Sequence, residues 1–148
     1  MRNRREKKDL VERGCSHGVL VYAQGEPVGW CQYGPKEELP RITNSRKYRG
    51  LATESNSERV WRITCFVVDK KYRRRGVATA ALKAALKAIK EKGGGLVEAY
   101  PISCWESYAF GNESTHGTVS MFEKQGFKVV APFGRTRFSS HVLMRRRV

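Results

Sequence analysis

Apolar positions recur along this chain with two periods, and the changes between them mark out its elements. Val60–Val68 is rich in β-branched and aromatic residues and becomes apolar on both faces from Cys65 onward, which predicts a central strand buried at its C-terminal end. From Gly76 to Lys92 the set Val77, Ala81, Leu82, Ala85, Leu86 and Ile89 repeats at helical spacing, with Lys83, Lys87, Lys90 and Glu91 opposite and Gly93 to Gly95 ending the run. Asp69–Arg75 between them is a short charged turn. Leu96–Tyr100, ended by Pro101, is the next strand, expected parallel to Val60–Val68 through a right-handed crossover. Upstream, Asn3–Arg13 reads as a short charged helix anchored by Leu10 and Val11, and Val19–Ala23 and Val28–Tyr33 as a hairpin turning at Gln24–Pro27. Downstream, Gly117–Gln125 is a helix capped by Gly126, followed by a strand pair at Phe127–Ala131 and His141–Met144. Pro35–Glu58 and Ile102–Thr115 show no sustained period, and connections of that length are usually functional or mobile. The order, a hairpin, then βαβ, then αββ, predicts a mixed α/β fold around one sheet.

Length and composition narrow this little further. A chain of 148 residues fits one domain over 1–148, burying about two thirds of its unfolded surface. Its 40% apolar content is that of a globular protein, and no apolar run reaches membrane-spanning length. The first residues lack the apolar segment of a secretory signal, so the expected location is cytoplasmic, where the sequon at Asn112 has no use. Cys15, Cys31, Cys65 and Cys104 are widely spaced with no paired motif, so reduced thiols and no metal site are expected.

Charge changes the picture more. A net charge of +15 concentrates any polyanion near the surface without identifying it. Arg2–Lys8 and Arg145–Arg147 read as solvated tails. Lys70–Arg75 is different, because it immediately precedes a predicted helix N-terminus. The first amides of a helix lack internal partners and carry the positive end of its dipole, so with Arg73, Arg74 and Arg75 they form a site for an anion such as pyrophosphate.

Arg73-x-x-Gly76-x-Ala78 after a strand ending Phe66-Val67-Val68 resembles the R/Q-x-x-G-x-G/A signature of the GNAT superfamily of acetyl-CoA-dependent N-acetyltransferases. Met121-Phe-Glu-Lys-Gln-Gly-Phe127 is similar to that family's second helix and following Gly-Phe, and the resemblance runs from about Gly18 to Leu143. It implies acetyl-CoA as co-substrate. Its diphosphate would lie on Arg73, Arg74, Arg75, Gly76, Val77, Ala78 and Thr79, and its pantetheine arm along Phe66, Val67 and Val68, where the two central strands splay apart. The acceptor would approach Pro35–Glu58, making Tyr33, Arg41 and Tyr48 candidates for touching it. The resemblance implies a strand and a helix ahead of the hairpin that this sequence is expected to lack, either because the chain is shortened or because the strand was lost, and the gap would leave an open sheet edge that invites a partner strand or a homodimer.

The resemblance implies transfer of acetyl to a primary amine by direct attack in a ternary complex. An amine with a pKa of roughly 10.4 is about one part in a thousand neutral at pH 7, so the site must take up a proton and then manage a thiolate whose acid has a pKa of roughly 8.5. Cys65 and Cys104 read as structural, without a placed histidine to activate them. Many family members carry Tyr where this chain has Phe122, and the histone-acetylating kind carry Glu where it has Arg62. The replacements are Glu98, Tyr100, Ser120 and His116, in that order as base and with Ser120 foremost as acid; a water chain can also carry the proton. Two other readings stand beside this one. Phe122 and Arg62 fit a catalytically degenerate acyl-CoA-binding protein, and the charge alone fits a basic nucleic-acid-binding domain, though no zinc ligands, aromatic RNP pattern or helix-turn-helix spacing accompany it. The acceptor stays open: a cationic surface disfavours polycations unless the cleft is acidic around Glu37, Glu38 or Glu98.

Overall fold

The structure is a computed structural model that describes residues 2–49, 51, 58–103, 116–135 and 140–148; Cys104, Asn112 and the body of the 102–115 loop lie outside the described residues. Six strands form one mixed sheet in the order β1-β2-β3-β4-β6-β5. They are β1 (His17–Ala23), β2 (Glu26–Pro35), β3 (Val60–Val68), β4 (Leu96–Ala99), β5 (Lys128–Arg135) and β6 (Ser140–Arg147). All neighbours are antiparallel except β3 and β4, which are parallel as the crossover requires. Five helices accompany the sheet among the described residues: α1 (Arg2–Glu12), α2 (Pro40–Thr43), α3 (Arg46–Arg49), α4 (Val77–Glu91) and α5 (Val119–Glu123).

The core follows from the helical stripe. Ala81, Leu82, Ala85, Leu86 and Ile89 of α4 pack against Cys31, Tyr33, Trp61, Ile63 and Phe66 of β2 and β3. Leu82 and Ile89 are fully buried, and each contributes about 1.5–3 kcal/mol by leaving water. Phe122 of α5 extends this layer, its ring edge-on to Phe66 at 6.1 Å and to Phe127 at 5.0 Å.

Several boundaries differ from the sequence reading. Leu10 and Val11 do not anchor α1: both are exposed, and Lys7 makes the contacts, donating to Ser16 Oγ and lying 5.8 Å from the Trp30 ring. Arg145, Arg146 and Arg147 are not a tail but the end of β6, paired with Glu98, Val97 and Leu96. The 35–58 connection contains a 3-10 turn at Lys36–Glu38 as well as α2 and α3. Helix α5 is shorter than 117–125, because Gly117 is left-handed at φ 77° and Thr118 caps the helix by accepting from Met121 N. In β5, Pro132 is tolerated because the strand is an edge and bulged there.

Candidate active site

A single inserted residue opens the sheet. Gln32 pairs with Cys65 but its neighbour Tyr33 pairs with Ile63, so Thr64 is the extra residue of a bulge in β3. A bulge bends its strand and raises its twist. Pairing with β4 ends at the same point, since Ile63–Ala99 is the last matched pair and Thr64–Val68 continues with no β4 partner. The gap is bordered by the chain that leads into α5. Ile102, just beyond β4, bridges to Thr118 on one side and to His141 on the other. A Cβ on Gly117 would stand 3.4 Å from the Phe66 ring and under 3 Å from Met121 and Phe122. Glycine is therefore needed where this segment passes β3, which brings His116–Ser120 alongside the end of β3 that β4 leaves unpaired.

The cationic turn lies at the mouth of the same cleft. Asp69 Oδ1 accepts from Lys71 N at 2.8 Å and fixes the turn, and Arg73 Nε donates to Val68 O at 3.2 Å, tying the loop to the end of β3. Arg75 lies over the Tyr72 ring at 5.7 Å. Arg74 and Gly76 are left-handed at φ 58° and 79°, which turns the chain into α4. Gly76 is the N-cap, no side chain caps the helix, and a Cβ there would meet nothing within 4 Å. Gly76 is thus open to its surroundings at the start of α4, beside the exposed Arg74 and Arg75. A helix N-terminus without a side-chain cap, flanked by two exposed arginines, is an arrangement suited to an anion in charge.

On the sheet, the register lines up charges that no single strand reveals. Arg62 pairs with Glu98, and Glu98 with Arg145. Arg62 and Glu98 are both fully buried. Glu98 Oε1 accepts from Tyr48 O–H at 3.1 Å and from Arg145 Nε and Nη2 at 3.2 and 2.9 Å. Its Oε2 accepts from Tyr100 O–H at 2.7 Å and Arg62 Nε at 3.4 Å. Five donors meet a group with about four lone-pair sites. Burial and the Glu98 charge push the Tyr48 and Tyr100 hydroxyls up, so both remain protonated donors. Burial acts to lower the Arg62 pKa, but Tyr100, Tyr48 and Glu98 outweigh it and the guanidinium is held charged. Arg62 Nη1 donates to Leu39 O at 2.9 Å and Thr43 Oγ1 at 2.7 Å, which staples the 36–43 segment to the sheet; its Nη2 is buried without a hydrogen-bond partner.

The remaining sequence candidates fall in different places. Tyr33 is in the core, its ring 5.6 Å from His17 and 6.3 Å from Trp61, and so is withdrawn from any cleft. Arg41 is exposed on α2. Ser120 is exposed on the first turn of α5, with Oγ 3.4 Å from Thr118 Oγ1. The His116 ring stands edge-on to His141 at 5.1 Å. Partial burial of that ring, with the charge of His141 second, lowers the His116 pKa below 6.5. His141 went unrecognised in the sequence. Its Nδ1 is 3.1 Å from Tyr100 O; a carbonyl only accepts, so in the neutral ring Nδ1 carries the proton and Nε2 the lone pair. Burial raises the Cys31 and Cys65 thiols, which makes both poor nucleophiles. Among the described residues no cluster of three metal-binding side chains occurs, and no helix is long and apolar enough to cross a membrane.

Residues 2–127 match the family described as Acetyltransferase (GNAT) family. The chain belongs to the GNAT acetyltransferase family. This acetyltransferase has no match among curated proteins. Its fold is that of solved N-acetyltransferases at low identity. A ribosomal-protein-alanine N-acetyltransferase from Brucella melitensis is 15% identical, with TM-score 0.64 over 99% of this chain and 78% of the other. Ard1 from Thermoplasma volcanium is 21% identical, with TM-score 0.59 over 96% and 77%. A chain of the NatC complex, solved with Gag peptide and CoA, is 11% identical, with TM-score 0.61 over 97% and 77%. This GNAT acetyltransferase is thus an enzyme of acetyl transfer, in a family that uses acetyl-CoA.

Proposed function

We propose that this protein, as a single domain, transfers the acetyl group of acetyl-CoA to a primary amine by direct attack within a ternary complex. The observation that carries this reading is the coincidence of two features at one end of the sheet: β3 leaves β4 at the Thr64 bulge, and the left-handed Gly76 opens an uncapped helix beside the gap. Arg74, Arg75 and the amides of Val77, Ala78 and Thr79 hold the diphosphate, while Arg73 keeps its structural bond to Val68 O. The unpaired edge of Phe66–Val68 binds the pantetheine as an added strand would be bound, and one of its amides donates to the thioester oxygen as negative charge grows there. Bound acetyl-CoA supplies an activated acyl carbon and a thiolate leaving group.

The proton is assigned to the histidine pair. Glu98 has its lone pairs occupied by five donors, so it is a positioning group, and Tyr100 is a donor to it. His116 is neutral at pH 7 because its pKa is lowered, and it borders the cleft one residue from Gly117. It accepts a proton from the acceptor ammonium, and the neutral amine attacks the acyl carbon; the new C–N bond forms as the C–S bond breaks. The attacking nitrogen loses its second proton to Ser120 Oγ, exposed on the first turn of α5, as that hydroxyl passes its own proton to the departing thiolate. The raised Cys65 thiol argues against an acyl-cysteine route. The acceptor is expected to pass between the stapled 36–49 segment and the start of β6.

Release of free thiol from acetyl-CoA, followed with a panel of primary amines and with none, tests this reading. Amine-dependent release with one acetylated product per thiol is expected. Binding of acetyl-CoA without release for any amine would instead favour a degenerate acyl-CoA-binding protein, the reading that Phe122 keeps open.

A further inference from the structure

Two open grooves lie at the opposite end of the sheet from the cleft. The first, of about 440 Å³, runs between α4 and the end of β6, where Lys83, Lys87 and Lys90 face Gln125, Arg146 and Arg147. The second, of about 380 Å³, continues across Arg145, Arg146 and Arg147 to Lys128. Arg146 and Arg147 pair with Val97 and Leu96 at the beginning of β4, whereas the acetyl cleft opens beyond its end. No acidic or aromatic side chain lines either groove among the described residues.

From this arrangement we infer that the Lys83–Lys87–Lys90 face, with Lys128 and Arg146, is a docking surface for the phosphate backbone of a nucleic-acid duplex. Charge supports it first. Seven cations line the grooves; Glu98 neutralises Arg145 and Glu58 neutralises Arg147, which leaves the charge of five to meet an outside anion, Arg146 among them although one of its nitrogens donates to Gln125 O. The Lys87–Glu91 contact, at 3.9 Å between largely exposed groups, is too weak to withdraw Lys87. Spacing supports it next. Lys83, Lys87 and Lys90 follow one another at i, i+4 and i+7, a stripe of about 10 Å along the helix that matches about three base-pair rises. The lack of anchors points away from a protein partner. Interface hot spots are aromatic or well-packed apolar groups, and here only Leu86, Leu96 and Val148 contribute apolar surface. The missing aromatics also exclude base stacking, so binding is to the backbone of a duplex and indifferent to sequence.

Fluorescence anisotropy with mixed-sequence 20-base-pair DNA and RNA duplexes tests the inference. Five phosphate contacts predict a slope of log affinity against log salt of about −4.5, or a loss of about 500-fold between 50 and 200 mM salt. The variant K83Q/K87Q/K90Q should bring the slope to about −1.8. K128Q alone should lower it by about one, and both variants should take up acetyl-CoA as the parent does. Saturating CoA should leave duplex binding unchanged. A salt slope near zero, full binding by K83Q/K87Q/K90Q, displacement of the duplex by CoA, or binding of polyglutamate in preference to either duplex would each overturn the proposal. None of these outcomes depends on acetyl transfer, so failure here and failure of the acetyltransferase mechanism are separable.

Discussion

Five donors converge on the two oxygens of Glu98, while eighteen residues on His116 stands against a second imidazole, and the proposed mechanism rests on that difference of surroundings. From the sequence Glu98 is the first choice as base, because it is a carboxylate on the strand beside the cleft. Cross-strand register surrounds it with donors, which is why the proposed mechanism gives it a positioning part, and register is a property of three strands together that no one strand encodes. His141 was missed for the same reason: its strand was legible, but not that Ile102 would bridge to it on one side and to Thr118 on the other. The His116 pKa is depressed below 6.5, so activity should fall only as pH drops below that value, and the unfolded chain should bind the proton first, making the fold more stable as pH rises toward about 6.5. His116→Ala should lower kcat by about 100-fold or more and abolish that acid limb. An unchanged profile measured for His116→Ala would return the proton to another group or to water.

Elements are where the sequence was most legible. The apolar stripe of α4, the hairpin and the parallel βαβ unit follow from period and turn chemistry alone, and the hairpin's Gln24 and Gly25 both take the positive φ that a tight two-residue turn requires. The end of β6 was not legible. Three consecutive arginines look like a solvated tail, yet Arg145 is drawn in by the buried Glu98 and Arg146 by Gln125 O. The 36–49 segment has no period because its order comes from outside itself, through Arg62 donating to Leu39 O and Thr43 Oγ1 and through Tyr48 donating to Glu98. Removing one member of a buried ion pair strands the other. Arg62→Ala should therefore cost about 3–5 kcal/mol in denaturant unfolding and lower hydrogen-exchange protection across 36–49. Wild-type stability in that variant would mean that the staple is ornamental.

Across the whole molecule, charge and shape divide the surface into two ends. Both present cations, but only one combines them with a helix N-terminus and a split sheet, and that end alone carried a motif readable in the chain. A six-residue pattern gained its meaning from the strand before it and the helix after it, whereas the bulge at Thr64 that opens the cleft left no mark in the sequence. The coenzyme cradle at Gly76 is the claim on which the rest depends, and calorimetric titration with acetyl-CoA tests it most directly. One equivalent should bind the parent protein, and at a hundredfold excess over Kd it should raise stability by about 2.7 kcal/mol. Gly76→Val, which places a branched side chain at the N-cap of α4 and must take a left-handed backbone at φ 79°, should lose that uptake while K83Q/K87Q/K90Q retains it. No uptake by the parent protein, or undiminished uptake by a folded Gly76→Val, would contradict the account.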